Sequence, residues 1–270
     1  MALIWLIGLI LSHNSRGFAL NLDYMINDSS VIRITGELDY DNCNEAESLI
    51  RSSLIDNRSV TLLLDSLDFI DSSGLMSLVS AALEAKKNGC QIKIGSLNTH
   101  TAHILHVSGF WNLFDINKDI DIQPASDIAS CKAGAMKLEI HPVKDDCRMA
   151  RNSIADFAKQ MGFSSEEIDD IKLALGESLS NAVRHGAIES QCIKIQCLVS
   201  EDKLQLSIRY PSEKFDPDSI PIPNREAPCE GGMGIHFMRL VMDSVRYRFN
   251  SGYASVMMIK LRQCAEVIAN

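Results

Sequence analysis

The feature that most constrains the fold of this chain is the alternation of strand-like and helix-like segments in its first half. The run Thr61–Asp65 is continuously apolar and of strand length, which is typical of a central strand covered on both faces. A helical pattern over about Tyr40–Ile55 precedes it, and another helical pattern that ends near Lys87 follows it. The alternation continues with strand and helix patterns over 91–96 and 99–108, and predicts a small α/β domain.

Length and charge limit the remaining possibilities. A chain of 270 residues is long enough for two domains, and 46% hydrophobic with 23% charged residues is an ordinary soluble balance. The formal net charge of -9 argues against direct nucleic-acid binding, which needs a basic surface. Any effect of this chain on transcription is therefore expected to act through a protein partner.

The cysteines and the N-terminus give weaker signals. The eight cysteines are scattered without a CxxC pair, which favours reduced core residues over a zinc site or a disulfide framework. The apolar stretch Leu3–Leu11 is shorter than the about 20 residues that span a bilayer, and it lacks the basic flank of a secretory signal. We expect a peripheral tail or a start codon assigned too early, a membrane location to be unlikely, and the protein to be cytoplasmic.

One candidate site in the first half is Asp71-Ser72-Ser73-Gly74, which stands directly before an apolar helix. Asp and Ser are ordinary N-cap residues, so the segment can be read as a helix start without further function. A serine at a helix N-terminus is also a suitable phosphoacceptor, because the helix amides and dipole accommodate the added charge. The residues alone leave both interpretations open.

A family resemblance favours the phosphoacceptor. The segments Ile34–Asp39 and Phe69–Leu75 resemble, in order and spacing, the two motifs of the STAS domain of anti-sigma-factor antagonists. The resemblance covers about residues 18–133 and implies that the serine after the aspartate, Ser72, is phosphorylated. Ser73 would then have a capping or backbone role.

The second half contains a long amphipathic helix that begins near Ser164 and ends near Gly186. At about 100° per residue, one face of this helix is apolar and is expected to pack in the core. That face consists of Ile168, Ile171, Leu175, Leu179 and Ala182. Glu177, Asn181 and His185 recur at a spacing of four on a face away from it, which spacing alone assigns equally well to a ligand site or to a polar surface.

The sequence Glu-x-x-x-Asn-Ala on this helix resembles the N box of the GHKL ATPases, which include histidine kinases and anti-sigma-factor kinases. The resemblance implies that Asn181 coordinates Mg²⁺ through its side-chain oxygen, a suitable ligand for a hard cation. It also implies that Glu177 is the catalytic base, accepting the proton of an attacking serine hydroxyl.

A glycine-rich segment, Glu230–Ile235, precedes the next helix, and glycines there let backbone amides approach phosphate groups. Its position after an N box resembles the anti-sigma kinase branch of the family. The resemblance implies that the nucleotide is bound by Asn181, His185, Gly232, Met233, Gly234 and Ile235. It also places residues 216–230, with four prolines, where the family has its ATP lid.

The sequence departs from the family at one position. The family has an aspartate at the end of the strand Lys203–Tyr210, where it reads the adenine amino group, and the alignment places Tyr210 there. A phenol does not reproduce the geometry of a carboxylate that accepts from adenine. The departure favours a second hypothesis, a degenerate kinase fold that binds partners without turnover.

Three domain ranges follow: an apolar extension over 1–17, a STAS-like domain over 18–133, and an ATPase-like domain over 136–270. The expected fold class is α/β (α+β), with a mixed sheet in the first domain and a GHKL-like α/β sandwich in the second. The expected function is partner switching around a sigma factor, with ATP and Mg²⁺ as cofactors. The expected partners are a sigma factor, STAS or anti-sigma proteins, and a second copy bound through the ATPase-like domain. A sensor-kinase fragment is a third hypothesis, but we find no helix with a phosphoacceptor histidine in the sequence.

Overall fold

The computed structural model describes residues 9–13, 19–26, 29–56, 59–116, 132–186, 191–220 and 233–263. The described residues fall into two compact units, one up to Ile116 and one from Lys132 onward. The expectation of two α/β domains is confirmed in fold class, since a partly parallel sheet forms the first unit and an antiparallel sheet the second.

The first unit is built on a seven-stranded mixed sheet. Its strands are β1 (Leu9–His13), β2 (Ala19–Ile26), β3 (Ser29–Leu38), β4 (Ser59–Leu64), β5 (Leu67–Ile70), β6 (Gln91–Leu97) and β7 (Asp115–Ile116). Its helices are α1 (Cys43–Asp56), α2 (Ser72–Lys87) and α3 (Thr99–Val107). The strand order is β1-β2-β3-β4-β6-β7, with β5 paired to β3. The β1-β2-β3 pairs are antiparallel and the remaining pairs are parallel.

Three details of this unit differ from the sequence expectations. The strand β1 lies within the stretch assigned to an extension and pairs with β2. The helix α1 begins at Cys43 rather than near Tyr40, because the Asn42 side chain accepts from the Asp39 amide (2.9 Å) and donates to the Glu37 carbonyl (2.8 Å). The strand β4 is fully buried on one face only, since α1 packs there and Thr61 and Leu63 stay half-buried.

The second unit carries a five-stranded antiparallel sheet in the order β11-β12-β10-β9-β8. The strands are β8 (Gly134–Ile140), β9 (Ile193–Val199), β10 (Lys203–Pro211), β11 (Ser244–Asn250) and β12 (Tyr253–Leu261). The helices are α4 (Lys144–Gln160), α5 (Ser165–His185) and α6 (Met233–Val241), and they pack on one face of the sheet. The alternating burial of β9, β10 and β12 marks that face as the core.

The helix α5 packs against both α4 and α6 in this unit. A capping box fixes its start, with the Ser164 hydroxyl accepting from the Glu167 amide and the Glu167 carboxylate accepting from the Ser164 amide. A helical wheel predicts one buried face for this helix. In the structure the helix is buried on all sides from Leu173 to Leu179, because α4 and α6 cover its flanks. The polar side chains in that stretch therefore lie inside the unit.

Candidate functional site

The three polar residues of α5 run from the interior of the second unit to its surface. Glu177 is 2% exposed, Asn181 is half-buried, and His185 is exposed at the last residue of the helix. Burial, and then the Arg184 guanidinium, lower the pKa of His185. The spacing predicted from the sequence thus gives a polar row with a buried carboxylate at one end and an exposed imidazole at the other.

The helix α6 brings the glycine-rich segment onto this row. A methyl group built on Gly234 would lie 2.5 Å from Oε2 of Glu177 and 3.7 Å from Nδ2 of Asn181. These distances are contacts or clashes for a Cβ atom, so a glycine at this position lets α6 approach the two side chains. Three of the residues predicted for the site, Glu177, Asn181 and Gly234, are therefore brought together.

The other predicted binding residues contribute differently. Met233 is 5% exposed and Ile235 is 6% exposed, so their side chains belong to the core. They lie in the first turn of α6, where backbone N–H groups have no acceptor within the helix and can bind an anion. Gly232, together with residues 221–230 of the predicted lid, lies outside the described residues.

Tyr210, which the family resemblance aligns with the adenine-binding aspartate, is a buried core side chain. It is 1% exposed, and burial raises the pKa of its hydroxyl to about 12. Gly186, directly after α5, lies against it: a Cβ there would meet the Pro211 carbonyl oxygen at 2.0 Å and the Tyr210 ring at 2.8 Å. The end of β10 and the end of α5 are thus packed tightly where the family has its adenine carboxylate.

One residue of this region, Tyr247 on β11, was not predicted from the sequence. Its ring lies 5.5 Å from Phe215 and 6.2 Å from Phe249, measured between ring centroids. Its hydroxyl is buried near Tyr210, Asn181 and Glu177, and burial raises its pKa. The alternation Val245, Tyr247, Phe249 could have indicated that these side chains face the helices, but not which helix residue they meet.

The donor set is suited to Mg²⁺ with a nucleotide. Mg²⁺ takes one or two protein oxygens and completes its shell with water and phosphate oxygens. The Asn181 side-chain amide, which carries one such oxygen, and the Glu177 carboxylate both lie against Gly234. No group of three or more His, Cys, Asp or Glu side chains arranged for a metal occurs among the described residues.

The candidate phosphoacceptor lies in the first unit, at the start of α2. Asp71 is the N-cap, and its carboxylate accepts from the amides of Gly74 (2.9 Å) and Tyr40 (3.3 Å). Ser72 is the first helical residue and is 6% exposed, whereas Ser73 is half-buried. The cap is formed and the serine lies at the helix N-terminus, so both interpretations of this segment stay open.

The electrostatics of this helix start are set by burial. Burial, together with the nearby Asp39 carboxylate, raises the pKa of Asp71 to about 6, against the opposing effect of the hydrogen bonds from the Gly74 and Tyr40 amides. The backbone is also tightly packed, since a Cβ on Gly74 would lie 2.3 Å from the Leu38 carbonyl oxygen. This glycine lets the first turn of α2 lie directly against the end of β3.

Comparison with known proteins finds a family match for each half of the chain. The family model of the STAS domain matches residues 23–122, and that of the histidine kinase-like ATPase domain matches residues 142–260. The serine-protein kinase RsbW of Bacillus subtilis is 31% identical over 117 residues, which are 40% of this chain and 73% of that protein. RsbW of Listeria monocytogenes is 29% identical over 119 residues, covering 40% of this chain and 76% of that protein.

Two solved structures also match. The RsbU and RsbW domains of a Mycobacterium tuberculosis protein are 15% identical, with a TM-score of 0.37 and coverage of 50% of this chain and 35% of that one. The anti-sigma factor antagonist SpoIIAA in its unphosphorylated form is 22% identical, with a TM-score of 0.26 and coverage of 28% and 70%.

Among the helices of the described residues, none is long and apolar enough to cross a membrane. The domain ranges inferred from the sequence stay predictions in their exact bounds. The identity and coverage of the match to RsbW, together with the two family matches, place the chain. It belongs to the RsbW family of serine-protein kinases and carries a STAS domain ahead of its kinase-like domain.

Proposed function

We propose that the chain is a partner-switching regulator of a sigma factor whose second unit is a Mg²⁺- and ATP-dependent protein serine kinase. Its substrate is the Ser72-type serine of a STAS antagonist domain. The observation that carries this proposal is the approach of Gly234 to Glu177 and Asn181, which joins a carboxylate, a side-chain amide and a helix N-terminus in one place.

Each group has a role in phosphoryl transfer. The serine oxygen forms a bond to the γ-phosphorus, the bond from that phosphorus to the bridging oxygen breaks, and ADP leaves. Glu177 accepts the hydroxyl proton, and its burial keeps water away from the carboxylate. Asn181 would hold Mg²⁺, which neutralises phosphate charge, while first-turn amides of α6 donate to phosphate oxygens.

The proposal is tested by calorimetric titration of ATP and ADP into the full chain, with and without Mg²⁺, and by ³²P transfer to the STAS domain. We expect Mg²⁺-dependent binding and transfer that Glu177→Gln abolishes while nucleotide affinity stays within about threefold. An absence of binding at millimolar ATP would refute the kinase function.

A second candidate function is a non-catalytic module that holds a sigma factor or another partner. The observation that favours it is Tyr210, a phenol buried against Gly186 at the position of the family's adenine carboxylate. Under this function the chain would bind its partner equally well with and without nucleotide. A pull-down with a purified sigma factor, at zero and millimolar ATP, separates the two functions.

Phosphorylation supplies the switch in this proposal. A phosphate on Ser72 adds about -1.5 to -2 charges beside Asp71. We expect the charge to weaken docking of the STAS domain on an acidic nucleotide site and to release the ATPase-like domain for its sigma factor. The yield of cross-links between the STAS domain and the ATPase-like domain is compared for Ser72→Asp and Ser72→Ala. Equal yields in the two variants would contradict this expectation.

We also propose that a second copy binds through the ATPase-like domain. The sheet face opposite the helices is not covered by other described elements of this unit, and it exposes Leu198 (38%) and Leu261 (48%). Light scattering of the chain and of Leu198→Lys tests this, with a smaller mass expected for the variant. Equal masses for the chain and the variant would show that this face does not bind a second copy.

A further inference from the structure

The hydroxyl of Tyr247 is a buried polar group that the proposed mechanism does not use. The side chain stands on β11 opposite Val256 of β12, on the sheet face that carries the helices. Its ring is fixed by Phe215 and Phe249, both in contact with it. Its oxygen has almost no accessible area, and among the described residues it has no hydrogen-bond partner.

An unpaired buried hydroxyl needs an explanation, because burial without a partner costs stability and a phenylalanine would fill the same space. The amide of Asn181 is the hydrogen-bonding side chain that lies next to this hydroxyl. The two groups are near each other but do not have the geometry of a formed bond.

The chemistry of the amide makes this pairing selective. An asparagine side chain has donors on Nδ2 and an acceptor on Oδ1, at opposite sides of the amide group. If Nδ2 donates to the Tyr247 oxygen, Oδ1 is directed to the other side and is free to accept a cation. Nδ2 also lies 3.7 Å from the position of a Cβ on Gly234, so the amide group is held between α6 and β11.

We propose that Tyr247 is a positioning residue of the nucleotide site: its hydroxyl oxygen accepts a hydrogen bond from Nδ2 of Asn181 and thereby presents Oδ1 to Mg²⁺. The inference rests on the proposed function, since it concerns the metal that accompanies ATP. It adds a residue outside the N box and the glycine-rich segment to the metal-binding machinery.

The test compares nucleotide affinity with Mg²⁺ and with EDTA, by calorimetry on the full chain and on Tyr247→Phe. We expect the variant to keep its metal-free affinity and to lose about fivefold of the Mg²⁺ enhancement, the value of one neutral hydrogen bond. Its thermal midpoint in EDTA should stay within a few degrees of that of the unmodified chain, because a phenylalanine fills the same space. An unchanged or increased enhancement would overturn the inference.

The matched control is Tyr253→Phe. Tyr253 lies in the same unit on the opposite sheet face, where the Arg209 guanidinium sits 4.4 Å from its ring centroid. We expect no change in the Mg²⁺ enhancement for this variant. An equal loss in both variants would mean that the effect is not specific to the Asn181 contact, and would refute the inference.

A double-mutant cycle with Asn181→Asp isolates the contact. A carboxylate can still hold Mg²⁺ but has no N–H to donate to the tyrosine oxygen. In that background, Tyr247→Phe should change the enhancement by less than about twofold, and a persisting fivefold loss would overturn the inference. If the unmodified chain binds no nucleotide at all, the proposed function fails, and the inference that rests on it fails with it.

Discussion

Gly234 and Glu177 are in such close approach that a single methyl group on the glycine would lie 2.5 Å from the Oε2 atom of the glutamate. The contact joins the first turn of α6 to the buried middle of α5. The group that would be displaced is the end of a flexible side chain, whereas in Gly186 and Gly74 it is a backbone carbonyl oxygen. A substitution at Gly234 should therefore disturb chemistry more than folding.

The first prediction is that Gly234→Ala lowers the rate of phosphoryl transfer at least about tenfold by moving the Glu177 carboxylate. The thermal midpoint should change by no more than a few degrees, since the glutamate side chain can rotate. The matched control is Gly134→Ala, whose Cβ would meet the side chains of Met161 and Phe157 away from the site. A comparable loss of rate in the control would contradict this assignment.

The second prediction concerns Tyr210→Asp, which restores the family's carboxylate. A charge-assisted bond to the adenine amino group contributes about 1.5–3 kcal/mol, so ATP affinity should rise roughly ten- to a hundredfold. The control is Tyr210→Ser, which leaves a similar cavity beside Gly186 without the carboxylate. Titration calorimetry checks this, and equal affinities for the two variants would show that Tyr210 does not occupy the adenine position.

The third prediction is that phosphate is incorporated on Ser72 rather than on Ser73. Ser72 begins α2 directly after its Asp71 cap, and first-turn amides stabilise a phosphate there. Phosphopeptide mapping after incubation with Mg-ATP should show label that Ser72→Ala removes and Ser73→Ala retains. Label confined to Ser73 would refute the assignment of the phosphoacceptor.

The fourth prediction is a pH dependence that originates at Asp71. Burial raises the pKa of this carboxyl to about 6 in the folded state, above its ordinary value of 3.8. The neutral form is favoured on folding, so the stability it contributes is fully present below about pH 4 and is lost as pH rises through about 6. The loss is on the order of 3 kcal/mol.

Asp71→Asn removes this titration while an amide oxygen can still accept from the Gly74 amide. Urea unfolding followed by tryptophan fluorescence reports on the first half, which contains both Trp5 and Trp111. Between pH 4 and pH 7 the unmodified chain should lose more free energy of unfolding than Asp71→Asn does. Parallel pH profiles for the two proteins would show that Asp71 is not the origin.

The fifth prediction concerns the buried ion pair that ties α5 to β12. The Lys260 ammonium donates to the Asp170 carboxylate (2.5 Å) and to the Val241 carbonyl (2.9 Å), and both charged residues are less than one tenth exposed. Lys260→Met removes the cation that pairs with the buried Asp170 carboxylate and should destabilise the second unit by about 3–5 kcal/mol. Hydrogen exchange of the β12 amides in urea measures this.

Two further variants make the result specific. Adding Asp170→Leu to Lys260→Met also removes the buried negative charge and should recover most of the lost stability. Lys194→Met breaks an exposed pair with Glu139 at 3.7 Å and should cost less than about 1 kcal/mol. If Lys194→Met destabilised the unit as much as Lys260→Met, burial would not explain the effect.

Much of the fold and part of the site follow from local sequence. The period of the apolar residues predicts α5, and the spacing of Glu177, Asn181 and His185 places them in one row. Strand β10 and the final hairpin are predicted from the same patterns. These features depend on residues close together in the chain, where the period of a helix or strand determines which side chains share a face.

Tertiary structure alone decides the rest. The burial of Glu177 on all sides, the packing of Tyr210 against Gly186, and the approach of Tyr247 to Asn181 join segments far apart in sequence. A hydrophobic pattern states that a side chain faces the core, but not which residue it meets there, because that depends on how helices pack on the sheet. By itself, the sequence therefore determined the elements, the helix start at Asp71 and Ser72, and the polar row of α5. The positions of Gly234 and Tyr247 against that row depend on long-range packing.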